Sequence, residues 1–120
     1  MPTIVQSCRL EKDAATLLAR QAKRRQLDVS TLTSLYLTEK TREIEFPGIG
    51  FRDHIGGREA YIPGHRVSVW EVVDAHKETR SIKKTADHFN WPEHLVKCAL
   101  DYAKAFPDEI ASQRAVEVGE

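Results

Sequence analysis

A chain of 120 residues with 41% hydrophobic and 30% charged side chains has the size of one ordinary domain or two very small ones, too short for most multi-step enzymes. Eighteen Lys plus Arg balance eighteen Asp plus Glu, so overall charge argues neither for nucleic acid nor for disorder. The balance is uneven along the chain: residues 1–42 carry eight basic against four acidic side chains and residues 43–120 ten against fourteen, so the two halves are expected to meet different partners. Cys8 and Cys98 lie far apart inside hydrophobic patterns, no signal-peptide pattern opens the chain, and no apolar run approaches the roughly 20 residues that span a bilayer. A cytoplasmic protein without a membrane partner is expected.

Thr3 to Leu10 alternate Ile4, Gln6, Cys8 and Leu10 on one face with Thr3, Val5, Ser7 and Arg9 on the other, which predicts a short strand. A helix is expected from about Glu11 to Arg25, with Asp13 in its first turn, Lys23, Arg24 and Arg25 in its last, and Ala14, Leu17, Leu18 and Ala22 on one stripe. Asp28 or Ser30 can cap a second helix through about Arg42, with Val29, Leu32, Leu35 and Tyr36 on its apolar face.

One strand and two helices cannot bury enough surface to fold alone, and a lone strand leaves its backbone unpaired. A second copy is required, and no internal repeat supplies it, so an obligate homodimer is expected, its two strands paired as an antiparallel ribbon. The run from Ser7 to Glu43, with its strand, Arg9-Leu10 before the first helix and Ser30 opening the second, resembles the ribbon-helix-helix repressors of MetJ, Arc and CopG type. A ribbon fits the major groove of B-DNA, and alternate residues reach base edges. The resemblance makes Val5, Ser7 and Arg9 the reading face: Arg9 for guanine, Ser7 as donor or acceptor, Val5 for a thymine methyl. Ser30 and Thr31 would offer hydroxyls and N–H groups to a phosphate at a helix N-terminus, or serve simply as caps.

Glu43 to Gly57 reads as a linker, although Phe46, Ile49, Phe51 and Ile55 are too apolar for a solvated tether and imply docking on the C-terminal half. A strand or turn then precedes helices near Val69 to Lys77, Ser81 to Phe89 and Pro92 to Ala105, with a short one after Pro107. Ala86 at a helix crossing, Asn90 in the turn, and Trp91, Val96 and Ala99 or Leu100 as packing residues have helix-turn-helix spacing. The outward residues Glu93, His94, Lys97 and Asp101 nearly cancel in charge, less basic than a phosphate-seeking surface requires.

Gly57-Arg58, the run Tyr61-Ile62-Pro63-Gly64-His65-Arg66-Val67-Ser68-Val69-Trp70, Ala99-Leu100-Asp101-Tyr102 and Phe106-Pro107-Asp108-Glu109-Ile110 together resemble the VapB-type antitoxins of domain-of-unknown-function family four-three-three. That resemblance implies a helix-turn-helix fold and a PIN-like toxin as partner. His65 stands where the family usually has Thr, and Glu59-Ala60 and the turn around Glu78 also depart, which puts a partner contact at His65-Arg66 in doubt. A second DNA or partner surface is assigned to His94, Lys97, Asp101 and Trp70.

Five histidines and two cysteines form no Cys-x-x-Cys or His-x-x-x-His pair, so no metal is expected. Cys98 lies one turn from His94 without a third orienting group, which favours a structural thiol over a nucleophile. The glycines make neither a P-loop nor a dinucleotide fingerprint, since Asp53 stands where the third glycine belongs. Neither an enzyme nor a cofactor is expected.

The expected chain is mainly α. Residues 1–45 form a ribbon-helix-helix dimerisation and DNA-binding unit, 46–53 a connector, 54–114 a small helix-turn-helix antitoxin-like domain and 115–120 a tail. The expected role is an antitoxin and autorepressor of a toxin-antitoxin operon; the alternative is a transcription regulator with two DNA-binding domains and no toxin.

Overall fold

A computed structural model describes residues 2–119, which form six helices and one three-stranded antiparallel sheet. Residues 2–11 adopt no regular secondary structure and are exposed throughout. The strand expected at Thr3–Leu10 is therefore not formed by the single chain. A strand exists through hydrogen bonds to a neighbour, and among the described residues no strand pairs with this segment.

Helix α1 spans Lys12–Arg25 and closes at Gln26, whose left-handed backbone (φ 56°) lets the Leu27 N–H reach the Ala22 carbonyl at 3.0 Å. Helix α2 spans Val29–Glu45, three residues longer than expected. Asp28 caps it, accepting the Thr31 N–H at 2.7 Å, so Ser30 lies inside the first turn and is not the cap. The chain divides after Thr38 into two compact units. In the first, Ala22 and Leu32 are the buried apolar residues, whereas Leu10, Leu17, Val29 and Leu37 stay about half exposed.

In the second unit, β1 (Gly50–His54), β2 (Gly57–Ile62) and β3 (Val67–Ser68) pair in that order, with Phe51 opposite Ala60 and Tyr61 opposite Ser68. The segment expected to be a connector, 46–53, is thus folded structure: β1 begins inside it, Ile49 is buried, and Phe46 and Phe51 pack on the core. Apolar side chains at 46, 49 and 51 gain too much from burial to remain in a tether. The turn between β2 and β3 uses Gly64 at φ +86°, a conformation costly for any residue with a Cβ.

Helices α3 (Val69–Thr79), α4 (Ile82–Phe89), α5 (Glu93–Ala105) and α6 (Pro107–Val118) complete this unit. Ala60, Ile62, Val69, Val72, Ala86, Val96, Ala99, Tyr102 and Ile110 form its core between sheet and helices. The core also holds a carboxylate. Glu59 is 3% exposed; it accepts from Arg52 Nε at 3.0 Å and from Ser68 Oγ at 2.8 Å, so the buried charge is paired and hydrogen-bonded. Arg58 grips Glu39 with two nitrogens, at 2.8 and 2.6 Å, fixing the last turns of α2 to β2. No helix among the described residues is long and apolar enough to cross a membrane.

Candidate nucleic-acid interface

Val5, Ser7 and Arg9, the expected reading residues, all lie in the exposed N-terminal segment, with Val5 96% exposed. Two residues of this segment meet the helices of the first unit. Cys8 and Leu10, from the face expected to turn inward, line an apolar groove of about 330 Å³ with Ala14, Leu17 and Leu18 of α1 and Tyr36 and Leu37 of α2, while Ser7 and Arg9 do not. Ile4, on the same inward parity, stays 87% exposed.

Ser30 and Thr31 sit in the exposed first turn of α2. The Thr31 N–H and hydroxyl both donate to the Asp28 carboxylate, at 2.7 and 3.0 Å. These bonds, the backbone one first, hold the Asp28 carboxyl below its ordinary value. Asp28 therefore contributes to stability above the usual carboxylate range and loses that contribution as pH falls through its lowered value. A phosphate approaching this turn meets a carboxylate already seated on the helix N-terminus, so Ser30 and its neighbours are less open to an anion than the sequence implied.

Helices α4 and α5 are joined by the short turn at residues 90–92. Ser81 accepts the Lys84 N–H at 3.2 Å to start α4, and Asn90, left-handed at φ 59°, ends it with the Trp91 N–H on the Ala86 carbonyl at 2.9 Å. Ala86 is buried on α4, and Val96 and Ala99 are buried on α5. Trp91 stacks on Phe89 at 4.6 Å and meets the His65 ring at 4.9 Å. His65, the departure from the antitoxin pattern, thus packs on the turn of the helix pair.

His94, Lys97 and Asp101 are exposed on one stripe of α5 and flank a shallow cleft with Glu45, Phe46 and Pro47. One side of α5 is covered. A Cβ at Gly48 would stand 3.1 Å from Leu95 and 3.3 Å from the Cys98 sulfur, and the Gly48 N–H donates to that sulfur at 3.3 Å. Burial pushes the Cys98 thiol up, as suits a structural thiol and not a nucleophile. Trp70 belongs to a different groove, between α3, α5 and α6, lined also by Val73, Lys77, Ala103, Ile110 and Arg114. Its Nε1 is buried and has no hydrogen-bond partner among the described residues, and Arg114 of the same groove donates to Asp74 at 2.9 Å. The four residues assigned to a second surface are therefore not brought together: three share a cleft and Trp70 stands apart.

Sequence reasoning missed the polar network at Tyr102. The Tyr102 hydroxyl donates to Glu109 at 2.6 Å and accepts from Arg42 at 3.0 Å, while Arg42 donates to Glu109 at 2.8 Å and lies 3.9 Å over the Phe106 ring. Burial first, then the Glu109 carboxylate, raise the Tyr102 hydroxyl far above its usual range, so it stays a donor. The signal available was Tyr102 in an otherwise apolar stripe of α5. Its partners lie 60 and 7 residues away and leave no local pattern. Among the described residues no group of His, Cys, Asp or Glu is arranged to hold a metal. No family model matches the chain, and no curated protein or solved structure matches it.

Proposed function

We propose that the chain is an antitoxin that represses its own operon, binding DNA as a homodimer through Val5, Ser7 and Arg9 and a PIN-like toxin through its C-terminal unit. The observation that carries the reading is the state of the first unit. Six of the ten large apolar residues exposed among the described residues fall within its 38 positions: Ile4, Val5 and Leu10 in the N-terminal segment, which forms no regular secondary structure, and Leu17, Val29 and Leu37 on the two helices. A second copy would cover the apolar face and pair that segment at once, and the resulting ribbon has the dimensions of the major groove. The mechanism is binding without catalysis.

Residues 39–120 hold twelve basic against fifteen acidic side chains, which gives them little to gain from counterion release on DNA. The toxin assignment rests on the antitoxin resemblance of this half. The competing reading, a regulator with two DNA-reading domains, draws on the helix-turn-helix spacing of the sequence over α4 and α5 and on the exposed Lys83 and Lys84. Coexpression with the product of the adjacent reading frame separates the two. The antitoxin reading expects a stable complex of both products that shifts upstream DNA; a chain that purifies alone, and loses DNA binding when Lys83, Lys84 and Lys97 are changed to Ala, supports the regulator.

A further inference from the structure

The groove between α1 and α2 is mostly apolar, with Gln21, Thr33 and Tyr36 as the polar-bearing residues of its lining. Gln21 continues the stripe of Ala14, Leu17 and Leu18 on α1, and its side-chain oxygen accepts the Tyr36 hydroxyl of α2 at 2.5 Å. Both residues are half-buried, and the two Nε2 hydrogens of Gln21 take no acceptor among the described residues. In a single chain those hydrogens face water. A partner that covers the groove removes the water and must bring an acceptor, or leave two donors dry.

We infer that this groove admits a second copy of this chain in one register, selected by the Gln21–Tyr36 pair. The inference rests on the dimeric reading above. A second copy is the occupant because the N-terminal segment forms part of the groove wall through Cys8 and Leu10, so one identical segment supplies both the missing backbone pairing and the missing cover. It also carries acceptors of its own in the same strip, the Gln21 oxygen and the Thr33 hydroxyl oxygen. A slipped register that sets Leu17 or Leu37 against Gln21 strands the donors, and each stranded donor weakens association by roughly five- to 150-fold. The pair acts as a buried polar residue does in a coiled coil, giving up some affinity to exclude other alignments.

Sedimentation equilibrium of the full chain over a concentration series tests this with two variants. Gln21→Glu keeps the oxygen that accepts from Tyr36 but loses both donors and places a charge in each copy; the dimer should weaken at least tenfold. The double variant Gln21→Leu with Tyr36→Phe removes the polar pair and should dimerise at least as tightly as the wild type while populating tetramers or larger species. A wild-type dimer with both variants unchanged in affinity and size overturns the inference and leaves the dimer standing. If Gln21→Glu does not stay folded, a double variant that remains a strict dimer overturns it by itself. A wild-type chain that is monomeric at micromolar concentration removes the dimer and the inference together.

Discussion

Replacing Arg9 by Ala is expected to weaken binding of the full chain to its operator by about 30-fold to 10⁴-fold, because each bidentate contact to guanine is worth about 1–3 kcal/mol and a dimer makes it twice. Arg9 is exposed, so thermal unfolding should not change. Lys97→Ala, on the charge-balanced stripe of α5, should bind normally, since that stripe also carries Asp101. A mobility-shift titration decides. Normal binding by Arg9→Ala together with lost binding by Lys97→Ala would transfer the reading role to the second unit.

The largest stability effect is expected at Tyr102, which is fully buried and central to the second unit. Tyr102→Phe removes a hydroxyl bonded to two charged groups, and hydrogen bonds to charged groups contribute about 1.5–3 kcal/mol. The Arg42–Glu109 pair remains and is partly solvated, so the lower end of that range applies, about 2 kcal/mol. For a unit of this size the melting temperature should fall by about 8–16 °C. Tyr102→Ala also deletes a ring that meets Phe46 at 5.2 Å and Phe106 at 4.9 Å, and loses about 3–5 kcal/mol more, enough to unfold a small domain. Calorimetry showing Tyr102→Phe within about 2 °C of wild type, well below the expected fall, would mean that the network does not hold Arg42 to α5 and α6.

The helices were legible because their ends are written locally. Asp13 at the start of α1, Ser81 before α4, Asn90 after it and Pro107 at the start of α6 each act within one turn of their own position, and all four ends fall within a residue of expectation. The capping of α2 was ambiguous because Asp28 and Ser30 can both accept from a first-turn N–H; the carboxylate took it. Strand β1 was hidden by composition. Arg52, Asp53 and His54 are charged or polar and stand in a stretch that reads as a linker, and only pairing with β2 makes Gly50–His54 a strand. The apolar residues Phe46, Ile49 and Phe51 were the available signal, and they spoke against a free tether. Glu59 could not be placed from sequence, since its burial depends on Arg52 and Ser68 arriving from two other strands. The N-terminal strand illustrates the opposite limit. Its alternation is plain, yet one chain provides no neighbour to make it a strand.

Hydrogen exchange at the backbone amides of residues 3–10 in the full chain, measured across a dilution series, addresses that strand directly. A two-stranded ribbon protects alternate amides, and because pairing is linked to association the protection should vanish on dilution below the dimer's dissociation constant, while the amides of α3, α4 and α5 stay protected. Exchange of all the amides of residues 3–10 at the unprotected rate, at every concentration reached, would contradict the ribbon and the DNA-reading role built on it.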